Sequence, residues 1–149
     1  MWRAEPGVKM ESRIVYSDGF LNQFGMISIR DFETEDQPTA ETGEEEVISL
    51  PGNLFVATRT DMQGEVQVEI HVGECVDLDA RLIFDGSMTF RSSWLCITGV
   101  VDPDEETLRL PRSGEWKIKV LVQGSPRPSR VMVFLDSREW LTAGGVLLG

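Results

Sequence analysis

Along Glu65-Val66-Gln67-Val68-Glu69-Ile70-His71-Val72, every second residue is β-branched and apolar. Successive side chains of an extended strand point to opposite faces, so this pattern buries one face and leaves the other polar, as in a half-buried antiparallel strand. Trp116-Lys117-Ile118-Lys119-Val120-Leu121-Val122 repeats it, with Trp116, Ile118, Val120 and Val122 on the inward side. No stretch of twelve or more residues carries a 3.6-residue apolar period, which sets helical architectures aside. A short helical turn near 137–141 is the one helical expectation.

Further strands are expected at 13–17, 25–30, 46–50, 54–60, 80–84, 87–91, 94–100 and 130–136, all rich in β-branched and aromatic residues and bounded by Gly, Pro, Asp or Asn. Phe84-Asp85-Gly86-Ser87 reads as a two-residue hairpin turn, because Asp-Gly tolerates the positive φ values of a type I′ turn. Ser125-Pro126-Arg127-Pro128-Ser129 reads as a second turn. Many short strands in 149 residues predict one domain spanning 1–149, an all-β, two-layer antiparallel β-sandwich of jelly-roll-like form.

Charge is where the chain departs from the average soluble domain. Its formal net charge is −11. Residues 1–30 sum to +1, 31–60 to −7, 61–106 to −9 and 107–149 to +4. Between 31 and 46 stand eight carboxylates, Asp31, Glu33, Glu35, Asp36, Glu41, Glu44, Glu45 and Glu46, with no Lys or Arg among them. That segment, with Pro38 and Gly43 and little apolar beyond Phe32, is expected to be a long acidic loop. Such a loop either keeps the protein solvated or meets a basic partner, and these eight residues are the candidate partner-binding set. Direct nucleic-acid binding is disfavoured, since the one strongly cationic region is the C-terminal third, with Arg109, Arg112, Lys117, Lys119, Arg127, Arg130 and Arg138.

No catalytic centre, metal site or cofactor is expected. His71 is the single histidine, and alternation puts it on the polar face of its strand. No Gly-x-Ser-x-Gly elbow is present, and neither Cys75 nor Cys96 precedes a helix that could activate it. Both cysteines read as small core residues, with a Cys75–Cys96 disulfide as the lesser alternative. Asp77/Asp79 and Asp102/Asp104 could offer oxygen ligands to Ca²⁺, with solvated turns as the plainer reading. Of four tryptophans, Trp94 and Trp116 are expected in the core, and Trp2 and Trp140 near exposed termini. The opening Met-Trp-Arg-Ala-Glu-Pro-Gly lacks the apolar core of a secretory signal, and no run approaches a membrane span, so a cytosolic protein without membrane contact is expected. The apolar, glycine-rich tail 142–149 is expected to dock on the sandwich or meet another chain.

Three stretches carry a resemblance: Ile14-Val15-Tyr16 followed by a Gly-Phe step, the run Arg81-Leu82-Ile83-Phe84-Asp85-Gly86-Ser87-Met88-Thr89-Phe90, and Leu108-Arg-Leu-Pro111-Arg-Ser-Gly114-Glu-Trp116-Lys-Ile118-Lys-Val120. In these the chain resembles the competence protein J family, small β proteins that inhibit a DNA-entry nuclease, and bacterial β-sandwich proteins of similar layout. The resemblance implies a β-sandwich and nuclease inhibition; it brings no site residues with it, and the acidic segment is not part of it. The leading expectation is therefore a non-enzymatic acidic inhibitor or immunity protein of a basic effector such as a nuclease. A calcium- or carbohydrate-binding module and a self-assembling structural subunit are the alternatives.

Overall fold

The computed structural model describes residues 12–20, 25–36, 45–74, 79–99 and 106–145. Ten strands form two five-stranded sheets. The first has the order β1 (Arg13–Phe20), β5 (Val66–Val72), β10 (Arg130–Leu135), β9 (Gly114–Gln123), β6 (Arg81–Phe90). The second has the order β3 (Val47–Leu50), β4 (Asn53–Ala57), β2 (Met26–Asp31), β7 (Trp94–Gly99), β8 (Glu106–Arg109). The expected all-β sandwich is what forms.

The core follows from the alternation. Val66, Val68, Ile70 and Val72 of β5 and Trp116, Ile118, Val120 and Val122 of β9 face Ile27 and Ile29 of β2, Leu54 and Val56 of β4, and Leu95 and Ile97 of β7. Trp116 is fully buried and lies tilted against Trp140, ring centroids 6.2 Å apart. Its indole N–H donates to Arg112 O (3.2 Å), and the Arg112 guanidinium caps the ring at 4.3 Å. Trp140 sits on α1 (Ser137–Thr142), where the Asp136 carboxylate accepts from the Glu139 amide at 2.9 Å as N-cap. The short helix expected from sequence is therefore present, and it covers the core's largest side chain. Trp140 is buried rather than exposed. The start of the apolar tail also packs there: a Cβ on Gly145 would come within 2.3 Å of the Trp140 indole nitrogen.

Four further expectations are corrected. Residues 81–90 are one continuous strand, with no hairpin at Asp85-Gly86. Asp85 opposes Lys119 and Gly86 opposes Ile118, so nine paired residues along β9 override a two-residue turn preference. Glycine serves there as space, since a Cβ would meet the Phe84 ring at 2.9 Å. Secondly, the sheets are not wholly antiparallel, because β5 and β10 run parallel at the centre of the first sheet.

Thirdly, His71 is buried, at 6% exposure. Its strand's polar face is closed over: the ring stacks on Phe134 at 4.6 Å, Nε2 meets Glu69 Oε1 at 2.8 Å, and Nδ1 meets the Ser12 hydroxyl at 2.8 Å. The carboxylate beside Nε2 assigns the proton there, leaving Nδ1 to accept from Ser12. Arg130 adds two bonds to Glu69, at 2.8 and 3.1 Å. Fourthly, Trp94 points outward at 39% exposure, because its neighbours Leu95 and Ile97 take the inward positions. Strand β8, not anticipated, is recruited by pairing Leu108 opposite Leu95.

If Asp85-Gly86 is strand and not turn, Asp85→Thr removes only a weak, exposed cross-strand attraction and adds β propensity. Urea unfolding should then place the variant within about 0.5 kcal/mol of the parent. A loss above ~1 kcal/mol would mean that Asp85 holds a turn.

Candidate functional site

The six of the eight carboxylates that fall among the described residues do not share one setting. Asp31 is the last residue of β2 and is buried at 1% exposure. Its carboxylate accepts from the Arg91 amide (2.8 Å), the Ser92 amide (3.1 Å), the Ser92 hydroxyl and, more weakly, the Glu33 amide (3.4 Å). It is thus committed to the interior. Burial alone would raise its pKa; the bonds from Ser92, Arg91 and Glu33 outweigh burial and hold it below the ordinary value of 3.8.

Beyond Asp31 the chain turns, with the Thr34 amide bonding Asp31 O at 3.1 Å, and Phe32, Glu33 and Glu35 face solvent. Asp36 is half-buried and anchored onto the β3–β4 turn. Its carboxylate accepts from the Gly52 amide at 2.7 Å, and its carbonyl accepts from Asn53 Nδ2 at 2.9 Å. Gly52 permits that approach, since a Cβ there would lie 2.4 Å from Thr34 Oγ1. Glu45 and Glu46 stand at the far end of β3, where exposed Glu46 pairs with Arg81. A strand of four residues separates the two groups, roughly 13 Å at ~3.3 Å per residue. Glu41 and Glu44 lie outside the described residues.

The solvent-facing set at the Asp31 end is therefore Glu33 and Glu35, and it is not purely anionic. Arg30 Nη1 reaches the carbonyls of Asp31 and Phe32, each at 3.4 Å, and Arg109 lies over the Trp94 ring at 5.7 Å. The Phe32 amide bonds Trp94 O at 3.0 Å, so two exposed aromatics stand side by side next to the carboxylates. Alternation could have revealed Trp94, because Leu95 and Ile97 already claim the inward face; its apolar neighbourhood masked that signal.

The other candidates contribute less. Of the proposed calcium ligands, only Asp79 falls among the described residues, where no group of three or more His, Cys, Asp or Glu could hold a metal ion. Cys96 is buried in β7, and Cys75 and Trp2 lie outside the described residues. A cleft of about 170 Å³ beside β9 carries Glu74, Asp85 and Asp136 against Lys117 and Lys119, with Lys119 Nζ 3.5 Å from Glu74 Oε2. Its charges largely answer one another. Ser12, His71 and Glu69 have the composition of a hydrolytic triad, but Arg130 already pairs with the carboxylate and Phe134 covers the ring, so the cluster ties the start of β1 to β5 and β10. No helix among the described residues is long and apolar enough to cross a membrane.

Because Asp31 ionises more readily in the folded state, its stabilising contribution is complete above its ordinary pKa and is lost as pH falls through the lowered value; Glu69, held down by Arg130 and His71 against the upward effect of burial, behaves likewise. Asp31→Asn should cost about 1–3 kcal/mol at neutral pH, as an amide NH₂ is forced against backbone donors. Its stability should also decline less steeply than the parent's below about pH 4. Denaturant unfolding at neutral and acid pH measures both; equal stability of the two proteins at neutral pH would refute the anchoring role.

No family model and no curated protein matches the sequence. Among solved structures, the fold is similar to the crystal structure of ComJ, inhibitor of the DNA-degrading activity of NucA, from Bacillus subtilis, with a TM-score of 0.66 over 85% of this chain and 98% of that one, at 7% sequence identity. The two chains share a fold, and the sequence-based resemblance to the competence protein J family is matched in three dimensions.

Proposed function

We propose that this chain is a non-enzymatic inhibitor that acts by binding and occluding another protein, a basic effector such as a nuclease. The observation that carries this reading is the likeness to ComJ across almost the whole of that inhibitor. The net charge of −11 supports it, since a negative field raises the encounter rate with a cationic protein while repelling nucleic acid. The rigid double sheet supplies a fixed platform, with Glu33 and Glu35 near one end of β3 and Glu45 and Glu46 at the other supplying carboxylates.

The test is retention of host proteins by the immobilised chain at low and high salt, followed by assay of each retained nuclease. A basic nuclease should be retained at low salt and released at high salt, and its degradation of linear DNA should stop at stoichiometric addition of the chain. DNA degradation that persists at saturating chain for every retained nuclease would contradict the reading. Replacing Glu33, Glu35, Glu45 and Glu46 with Gln should slow association by about tenfold and flatten its salt dependence. An unchanged association rate would remove these carboxylates from the mechanism.

A further inference from the structure

We propose that Phe32 and Trp94 are the apolar anchor of the partner-binding surface, and that its occupant is a protein face offering an apolar recess with Lys or Arg on the side that meets Glu33 and Glu35. This deepens the inhibitor reading and rests on it. Among the described residues, Phe32 at 53% and Trp94 at 39% are the two exposed large aromatic side chains. The β2–β7 register pairs Asp31 with Leu95, so the next pair outward is Phe32 opposite Trp94, with both side chains on the outer face and Cβ atoms about 5 Å apart. Arg109, opposite Trp94 on β8, extends the row.

The anchor is held before any partner arrives. Asp31 fixes the backbone under Phe32 through the Arg91 and Ser92 amides, and the same bonds hold the loop that leads into Trp94. The Leu110 amide bonds Ser93 O at 2.7 Å, and the Arg109 guanidinium over the indole restricts its rotation. Immobilised aromatics lose little conformational freedom on binding, which is why such side chains dominate protein interfaces. Ser93 and Arg109, which adjoin Trp94, also line a recess of about 310 Å³ that reaches Pro111 and Trp140, so a hollow opens next to the projection.

Charge gives the docking direction. Glu33 and Glu35 follow Phe32, with Arg30 beside them, while Arg109 lies over Trp94 where no exposed carboxylate of this set stands, so a partner's cations fit better on the Phe32 side. Arg30 and Arg109 offset much of the local negative charge, so attraction between charges cannot supply the affinity at this end. Carboxylates then govern association, and aromatics govern dissociation.

The retained nuclease, purified, is the probe. Phe32→Ala and Trp94→Ala should each speed its dissociation at least about tenfold while leaving association within about twofold, and Phe32→Leu should restore most of the lost residence time. Glu33→Gln with Glu35→Gln should show the opposite split. Both aromatic positions are exposed, and unchanged thermal unfolding will confirm that the variants fold. Inhibition by the parent chain with dissociation unchanged in both alanine variants overturns this surface and leaves the inhibitor reading standing. Failure of the parent chain to inhibit overturns both. Light scattering of the chain alone covers the remaining occupant: a dimer abolished by Phe32→Ala would show that the surface meets a second copy, contrary to the proposal.

Discussion

One buried carboxylate organises the end of the sandwich at which β6 passes into β7. Asp31 closes β2 of the second sheet, and its oxygens accept from the backbone of residues 91 and 92, where the chain leaves β6 of the first sheet and enters β7 of the second. A buried anion is costly unless several donors meet it, and four do. The adjoining Ser93 adopts a positive φ of 64°, a conformation that the Ser92 hydroxyl, bonded to the Trp94 amide at 3.1 Å, helps to hold. From this arrangement come the direction of the turn at Phe32–Thr34, the docking of Asp36 at Gly52 and the outward setting of Trp94.

The first sheet has a counterpart on its outer face. Glu69, His71, Ser12, Arg130 and Phe134 come from β5, β10 and the residue before β1, and they satisfy one another over the parallel pair. In both places a residue type that reads as solvent-facing is spent on long-range cohesion. This explains which parts of the fold were legible in the sequence. The inward faces of β5 and β9, the buried Trp116 and the short helix near residue 137 depend on local period and composition, and they are where alternation puts them. Asp85-Gly86, β8 and His71 depend on partners elsewhere along the chain: nine residues of β9, the edge of β7, and Phe134 with Ser12. The acidic segment was visible as charge, but its division into a buried anchor, a docked residue and an exposed pair follows from contacts 16 to 61 residues away.

Function was legible only as a direction. Net charge argued for a cationic partner, and a few turn and strand motifs argued for a nuclease-inhibitor fold, which the similarity to ComJ matches. The structure shifts the weight from charge to shape. Arg30 and Arg81 stand among the carboxylates, so field strength belongs to the whole molecule, while the paired aromatics leave one end with an exposed apolar feature. Long-range steering and short-range apolar contact are separate physical terms, and the proposed surface assigns them to different side chains.

Hydrogen–deuterium exchange of the chain, free and saturated with a nuclease that it inhibits, tests the proposed surface most directly. Binding through Phe32 and Trp94 slows exchange at residues 32–36 and 91–95 and leaves the β1 edge and the β3 end near Glu46 little changed. Protection centred on β1 or β6, with residues 32–36 and 91–95 exchanging as in the free chain, would contradict it.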